Sequence, residues 1–235
     1  MTTAVRPAAT VVVLRPRGPD DPTPELYMLR RSSKSAFMPD ALVFPGGRVE
    51  DEDGENLDDP DDLDSVFARA ARRECVEEAS LDLESVELRW FDTWQTPSGE
   101  SPRRFLARFY VATIADDQGH DAIADGLETQ AGRWASARAI LSQWESEAVD
   151  LPPPTLCILL RLAAGDWRDW LSCAPERARE PILPKIVPVE SNIHIVMPHD
   201  PDYASLPGEG GGVPDRVHVF PRRFIRTGKR WVPQP

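Results

Sequence analysis

The stretch Arg73-Glu74-Cys75-Val76-Glu77-Glu78 lies near the end of a segment, residues 63–81, whose pattern predicts an amphipathic helix. At about 100° per residue, the side chains of Glu74, Glu77 and Glu78 fall within one arc of roughly 100°. Small and apolar residues flank this arc on both sides: Leu63, Val66 and Ala70 on one, and Ala71, Cys75 and Ala79 on the other. The opposite side of the helix is expected to carry Arg69, Arg72 and Arg73. Three carboxylates are therefore predicted in the middle of an otherwise apolar face.

Carboxylates at this spacing repel one another. Glu74 stands at i,i+3 and i,i+4 from Glu77 and Glu78, and each such pair destabilises an isolated helix by about 0.2–0.5 kcal/mol. Partial burial raises this cost unless a cation lies between the carboxylates. A divalent cation that prefers oxygen ligands, Mg²⁺ or Mn²⁺, would resolve the conflict. The alternative is a solvated acidic patch in which Arg73 pairs with Glu77 at i,i+4.

A glycine turn precedes this helix. The short apolar run before it ends abruptly in Phe44-Pro45-Gly46-Gly47. Without a side chain, the glycine backbone bends freely and approaches a ligand closely. A backbone oxygen of this turn is therefore a candidate neighbour of the metal.

Taken together, Gly47 and residues 73–81 resemble the signature of the Nudix hydrolases, G-x5-E-x7-R-E-U-x-E-E-x-G-U with U an aliphatic residue. Ser80 stands where the signature has its last glycine, and Asp53 stands where it has its first glutamate. Nineteen residues, 54–72, separate Asp53 from Arg73 where the signature has seven, so the motif is split by twelve extra residues.

The resemblance implies a fold. It predicts a Nudix-type α/β/α sandwich with a mixed β-sheet in residues 1–165, followed by a Pro/Gly-rich C-terminal extension, residues 166–235, that offers a homodimer contact. The pattern along the chain predicts strands at residues 8–15, 25–31, 41–44, 85–96 and 103–113. It predicts helices at residues 136–147 and 156–164, with Ser136 as an N-cap, and β-like runs at residues 193–197, 216–220 and 230–232.

The resemblance also implies a reaction: metal-dependent hydrolysis of a phosphoanhydride in a nucleoside diphosphate linked to another moiety. Mg²⁺ or Mn²⁺ would be held by Glu74, Glu77 and Glu78 with the carbonyl of Gly47, and Arg73 would orient the carboxylates. Glu74 or Glu128 would accept the proton of the attacking water. Glu128 is the acidic residue that fits the family's position ahead of an Arg-Trp pair.

The net charge of −12 at pH 7 argues against nucleic acid and anionic membranes as partners. A polyphosphate substrate would then be attracted only locally, by metal ions and a few arginines. Arg30, which begins a basic segment, and Arg104 and Arg108, on one face of a strand, are the candidate substrate ligands. The alternative for each of them is a solvated arginine.

Cysteine usage and the N-terminal sequence predict a cytoplasmic protein. The three cysteines form no CxxC pair, which argues against a disulfide framework or a zinc site. The apolar run at residues 10–14 is too short for a signal peptide or a membrane-spanning helix.

Residues 35–47 followed by a split motif resemble the branch of the family that contains the peroxisomal coenzyme A diphosphatases. This implies a coenzyme A-type substrate, with nucleotide sugars and dinucleotides as further possibilities. The rival hypothesis is a non-catalytic nucleotide-binding or regulatory module, favoured by the split motif, Asp53 and Ser80. A third is an acidic interaction protein whose helix merely resembles the motif.

Overall fold

The computed structural model of the chain describes residues 4–33, 38–54, 60–99, 103–119, 122, 129–165 and 167–234. At its centre lies a strand, Val5–Arg15 (β1), in which every residue from Val11 to Leu14 is buried. Such a continuous apolar run is typical of a strand covered on both faces. The strand predicted here is confirmed and begins three residues earlier than expected.

Six further strands join β1 in a mixed sheet. They are β2 (Glu25–Arg31), β3 (Leu42–Val43), β4 (Gly46–Arg48), β5 (Arg89–Gln95), β6 (Arg104–Thr113) and β7 (Thr129–Ser136). The order is β3-β2-β1-β6-β5, with β4 also paired to β1 and β7 to β2. β1 and β6 run parallel, and the other pairs in this sheet are antiparallel.

β1 changes partner along its length, and this positions the glycine turn. Near its C-terminal end β1 pairs with β2, Leu14 lying opposite Leu26. Nearer its start it pairs with β4, Thr10 lying opposite Gly46. The short segment after β3 is thereby placed alongside the start of the central strand.

Helices cover both faces of the sheet. One face packs against α1 (Pro60–Ala79), whose Phe67, Ala71 and Cys75 share a core with alternate residues of the strands. The other face packs against α2 (Ala137–Glu145) and α3 (Pro153–Ala164). The predicted α/β/α sandwich is therefore confirmed, as is the Ser136 cap, which accepts a hydrogen bond from Ala139 N at 3.3 Å.

The C-terminal part of the chain forms a second, antiparallel sheet. Its elements are α4 (Trp167–Leu171), α5 (Pro175–Arg179), β8 (Lys185–Val189), β9 (Asn192–Val196), β10 (Arg223–Thr227) and β11 (Arg230–Gln234). The strand order is β11-β10-β9-β8. Ile195, Phe224 and Trp231 of this sheet belong to the same buried cluster as α2 and α3. The boundary between domain and extension stays a prediction, but these elements share one core.

Three predictions about this half of the fold were wrong or incomplete. Residues 216–220, predicted to be β-like, form a 3-10 turn (Asp215–Val219) between Pro214 and Pro221. Residues 129–136, for which no strand was predicted, form β7 because they pair with β2. β8 and β10 were not predicted, although each pairs with the next strand along the chain in a hairpin.

A buried ion pair ties this region to the first sheet. Arg216 Nε lies 2.6 Å from Asp92 Oδ1, and its Nη1 and Nη2 donate to the carbonyls of Arg177 and Glu180 at 2.5 Å each. Burial raises the pKa of Asp92 against the opposing effect of Arg216. Arg216 thus holds three segments together.

Two further expectations concern the whole chain. No helix in the described ranges combines the length and apolar character needed to cross a membrane. Cys75, Cys157 and Cys173 are all free thiols, in agreement with the predicted absence of a disulfide framework.

Candidate active site

The structure brings the glycine turn against the carboxylates of α1. Gly46 N donates to Glu78 Oε2 at 3.0 Å, and the Glu78 residue is only 9% exposed. A Cβ on Gly47 would overlap the Glu74 carboxylate, so no other residue fits there without displacing Glu74. These two contacts agree with the expectation from the sequence, whereas the roles of the residues as metal ligands stay a prediction.

Arg73 departs from its expected direction, because it does not point away from the carboxylates. Its Nη1 donates to Glu74 Oε1 and to Glu77 Oε2, each at 3.0 Å. The pair with Glu77 is the one that the solvated-patch alternative required. A helical wheel predicts only where each side chain leaves the helix. Because the arginine side chain is long, Arg73 extends over the neighbouring arc and reaches Glu74 and Glu77.

Asp53 holds Arg73 from the other side. Its Oδ1 and Oδ2 accept from Arg73 Nε and Nη2 at 3.0 and 2.9 Å, a bidentate pair that lies almost entirely out of solvent, since Asp53 is 3% exposed. The hydrogen bonds to Asp53 are the largest influence that raises the pKa of Arg73. Arg73 Nη2 also donates to the Arg48 carbonyl at 2.9 Å. Arg73 therefore links the segment before the insertion to the helix after it.

The role of Asp53 was left open by sequence reasoning. It ends a 3-10 turn (Asp51–Asp53), and its side chain accepts from Glu50 N at 2.8 Å, which fixes the carboxylate towards Arg73. The sequence indicated a role for Asp53 only through its position, because Asp53 stands six residues after Gly47, where the signature has its first glutamate. The extra residues follow Asp53, and part of them, from Pro60 onwards, extends α1 ahead of Arg73.

The donor set fits a cation that prefers oxygen. Glu74, Glu77, Glu78 and the Gly47 carbonyl offer oxygen atoms only, which suits Mg²⁺ or Mn²⁺. Among the described residues, no three acidic, histidine or cysteine side chains already converge as metal ligands would. The Glu77 side chain, 55% exposed, is paired with Arg73 and borders an open acidic depression of about 470 Å³ that is also lined by Glu50, Asp51 and Glu52. Binding a cation would require Glu77 to turn from Arg73 towards Gly47.

Two of the three candidate substrate arginines are engaged within the chain. Arg108 Nη1 lies 2.5 Å from Asp64 Oδ1, and its guanidinium sits 4.1 and 4.0 Å from the ring centres of Phe67 and Trp90. Arg104 pairs with Glu209 and donates to the Thr96 carbonyl at 3.1 Å. Both side chains are buried, so contact with a substrate phosphate would require these pairs to open.

Arg30 is different. It lies near the end of β2 and lines a cavity of about 630 Å³. Its buried Nε has no hydrogen-bond partner in the part of the chain that the structure describes. Arg30 therefore remains available to an anion. Glu128, the second candidate proton acceptor, lies outside the described residues.

The chain was compared with known proteins. Residues 4–152 match the family model for the NUDIX domain. A Caenorhabditis elegans protein named "Putative nudix hydrolase 7" is 26% identical, the alignment covering 69% of this chain and 63% of that protein. The chain therefore spans less than two thirds of this curated relative.

A solved structure described as a NUDIX hydrolase from Alicyclobacillus acidocaldarius is 25% identical, with a TM-score of 0.58. The alignment covers 70% of this chain and 93% of that protein. These matches support the Nudix family as a whole and do not distinguish the coenzyme A diphosphatase branch within it. The family match covers well over half of the chain and includes both the glycine turn and the acidic helix. The chain belongs to the Nudix family.

Proposed function

We propose that this protein is a metal-dependent Nudix hydrolase that cleaves a phosphoanhydride bond in a nucleoside diphosphate linked to a second moiety. The observation that carries the proposal is the packing of Gly46 and Gly47 on Glu78 and Glu74, with Arg73 held beside them by Asp53. This arrangement places two carboxylates of one helix against the glycine turn, and Glu77 would join them by turning from Arg73. Rigid placement of the groups that contact the reacting atoms is what such catalysis requires.

Each residue has a proposed role. Glu74, Glu77, Glu78 and the Gly47 carbonyl would hold Mg²⁺ or Mn²⁺, which when bound would neutralise diphosphate charge and lower the pKa of a coordinated water. Glu74 accepts the proton from the attacking water, with Glu128 as the alternative acceptor. Arg73 keeps Glu74 oriented when Glu77 moves to the metal. The part of the substrate beyond the cleaved diphosphate extends towards Arg30.

The rival hypothesis, a non-catalytic module, was motivated by departures from the signature. Asp53 forms the bidentate pair with Arg73 that a longer carboxylate would form. Ser80 adopts a φ of 53°, the left-handed conformation in which glycine is usual. Both departures therefore keep the local structure, and the three glutamates are present. This favours the enzyme over the module.

Incubation with candidate substrates tests the proposal. The purified protein is mixed with coenzyme A, ADP-ribose, NADH and dinucleoside polyphosphates, with Mn²⁺ or with EDTA. We expect a nucleoside phosphate to be released and EDTA to abolish its release. Tight ligand binding without turnover would favour the non-catalytic module.

The change Glu77→Gln tests the ligand assignment. Because Glu77 is exposed, the folded structure should be unchanged, whereas turnover should fall by about 100-fold or more. Glu84→Gln, at an exposed position after the helix, is the matched control and should leave turnover unchanged. Turnover of Glu77→Gln at the wild-type rate would show that Glu77 does not bind the metal.

Other expectations remain proposals. Coenzyme A-type compounds lead the substrate panel because of the resemblance of residues 35–47. A homodimer contact through the second sheet is proposed at Val189 and Ile193, exposed apolar residues of β8 and β9. A cytoplasmic location, with neither nucleic acid nor membrane as partner, is proposed from the net charge of −12 and the free cysteines.

A further inference from the structure

The cavity beside Arg30 is built by distant parts of the chain. The β2–β3 connection contributes Met38, Pro39 and Asp40, and the α2–α3 connection contributes residues 147–150. The hairpin of β10 and β11 closes the third side, with Arg226, Lys229, Arg230 and Trp231. At about 630 Å³ the cavity lies within the range of ligand sites in proteins.

Two of the cavity's arginines are already neutralised. Arg226 forms a bidentate pair with Asp150 at 3.2 and 2.8 Å. Arg230 lies 3.4 Å from Glu147 and donates to the carbonyls of Trp144 and Glu145. These contacts brace the hairpin against the α2–α3 connection. They give the cavity a fixed wall rather than a loose one.

The remaining charge is positive. Arg30 and Arg133 lie on the same face of neighbouring strands. Arg133 of β7 pairs with Met28 of β2, and Arg30 stands two residues after Met28 in the same strand. Arg133 Nε and Nη2 are buried and, like Arg30 Nε, lack a hydrogen-bond partner among the described residues. Burial is the main cause that lowers the pKa of Arg133, and the nearby charge of Arg30 lowers it further. Lys229 adds a further positive charge at the hairpin, with the exposed Asp40 opposing it.

Two like charges with unused donors are unfavourable unless an anion lies against them. Arginine donors are arranged to bind planar or tetrahedral oxyanions with two hydrogen bonds each. A phosphomonoester in the cavity carries charge and several acceptor oxygens. It would accept hydrogen bonds from Arg30 and offset the charge of Arg133, which lies beside Arg30 but does not line the cavity. No carboxylate of the described chain does so.

The cavity is also near enough to the glycine turn to bind the same molecule. Leu42 is the strand partner of Arg30, and Gly47 lies five residues further along the chain. Five residues span at most about 18 Å and paired strands lie about 5 Å apart, so the Cα atoms of Arg30 and Gly47 lie within about 23 Å, a distance that one extended substrate can span.

From these observations we propose that Arg30 and Lys229, with the charge of Arg133 beside Arg30, bind a second phosphate group of the substrate, a phosphomonoester remote from the phosphoanhydride that is cleaved. This inference rests on the proposed function for its substrate, whereas the cavity itself can be tested without turnover. It assigns to the C-terminal hairpin a part in choosing the substrate.

Matched substrates test the proposal. NADPH and coenzyme A each carry a phosphomonoester that NADH and dephospho-coenzyme A lack. Wild-type protein should show a kcat/KM at least about tenfold higher for the phosphorylated member of whichever pair it hydrolyses. Arg30→Gln and Lys229→Gln should reduce this preference, with little effect on the unphosphorylated member. Arg222→Gln, which removes one exposed positive charge outside the cavity, is the control and should keep the preference.

Binding without metal separates this inference from the proposed function. In EDTA, calorimetric titration with adenosine 3′,5′-bisphosphate should give tighter binding than AMP, and Arg30→Gln should remove the difference. Thermal unfolding should show Arg30→Gln at least as stable as wild type, because a repulsion with Arg133 is lost. A marked fall in stability would show that Arg30 is structural.

Equal rates within each pair and equal binding of the two nucleotides would overturn the proposal even if the protein is an active hydrolase. If inorganic phosphate binds through Arg30 while the paired substrates behave alike, the cavity serves free phosphate, and the assignment to the substrate is wrong. If no substrate is cleaved but the bisphosphate binds through Arg30, the proposed function fails and the subsite stands.

Discussion

Arg73 is the residue on which the candidate site depends most. It belongs to α1, contacts Glu74 and Glu77 on one side and Asp53 on the other, and donates to the carbonyl of Arg48 just after the glycine turn. A guanidinium paired on several sides keeps neighbouring carboxylates in fixed positions. Its position therefore explains how glutamates on one helix stay aligned beside Gly47.

Replacing Asp53 tests this dependence. Asp53→Ala should lower turnover and Mn²⁺ affinity by about 10–100-fold, because Arg73 loses its bidentate partner. Steady-state kinetics and calorimetric titration with Mn²⁺ measure the two effects.

Asp53→Glu restores a carboxylate and is the rescue variant. It should recover much of the lost activity, since the longer side chain still reaches Arg73. Activity and Mn²⁺ affinity of Asp53→Ala equal to those of wild type would mean that Arg73 needs no support from this side.

Predictions about single residues agreed with the structure where they concerned the backbone of the glycine turn and the acidic helix. The placement of Gly47 beside the acidic helix was expected from the resemblance to the Nudix signature, and the structure brings Gly47 against Glu74. The hydrogen bond from Gly46 to Glu78 was not predicted. The direction of Arg73 was not predicted either, because a flexible side chain chooses among several carboxylates. Arg104 and Arg108 were placed on the correct strand face, but their partners Glu209 and Asp64 are distant in the sequence.

At the scale of elements, α1 ends in a strained residue. Ser80 has a φ of 53°, and its N–H donates to the Val76 carbonyl at 3.0 Å. A residue with a Cβ is disfavoured in this left-handed conformation. The end of α1 therefore sits where glycine would be more favourable.

Ser80→Gly should raise the free energy of unfolding by about 1 kcal/mol. Chemical denaturation measures the change. Ser85→Gly, at an exposed position after the helix, is the comparison and should not stabilise the protein. Destabilisation by Ser80→Gly would show that the serine side chain makes a contact that outweighs its backbone strain.

The elements that were predicted correctly carry strong local patterns. Three of these patterns lie within the element that they predict. They are the valine run of β1, the alternation of apolar and polar residues in β6, and the prolines at the start of α3. β7 contains Ala131 and Gly132, which have weak strand preference, and it forms because β2 offers an edge. The turn at 215–219 has a β-like pattern, but Arg216 is bound to Asp92 on another strand. Distant partners thus decided β7 and the turn at 215–219, whereas β8 and β10, which were also missed, pair with the next strand along the chain.

At the scale of the whole molecule, the second sheet is attached through polar as well as apolar contacts. Asp92 is fully buried, and Arg216 is its ion-pair partner from the C-terminal half. Ile182 also exchanges backbone hydrogen bonds with β5, to Thr93 at 2.8 Å and from Gln95 at 2.9 Å. The hairpin that lines the basic cavity is therefore attached to the first sheet through the core cluster that contains Trp231 and Phe44, whereas α1 packs in the cluster on the other face.

Arg216→Met should destabilise the protein by about 3–5 kcal/mol at pH 7, because Asp92 is left buried without its partner. Burial raises the pKa of Asp92, so the folded chain binds its proton more readily than the unfolded chain. The free energy of unfolding of the variant should therefore rise as pH falls from 7 towards 5. Arg222→Met, at an exposed position, is the control in thermal unfolding at both pH values. A loss of stability that does not depend on pH would show that Asp92 stays ionised in the folded variant throughout this range.

The central claim is that α1 and the glycine turn bind a divalent cation together, and crystallographic anomalous scattering tests it most directly. Crystals grown with MnCl₂ should show an anomalous peak bounded by the Gly47 carbonyl, Glu74, Glu77 and Glu78, with Glu77 turned away from Arg73. Crystals that hold manganese elsewhere or not at all, with Glu77 still paired to Arg73, would contradict the account.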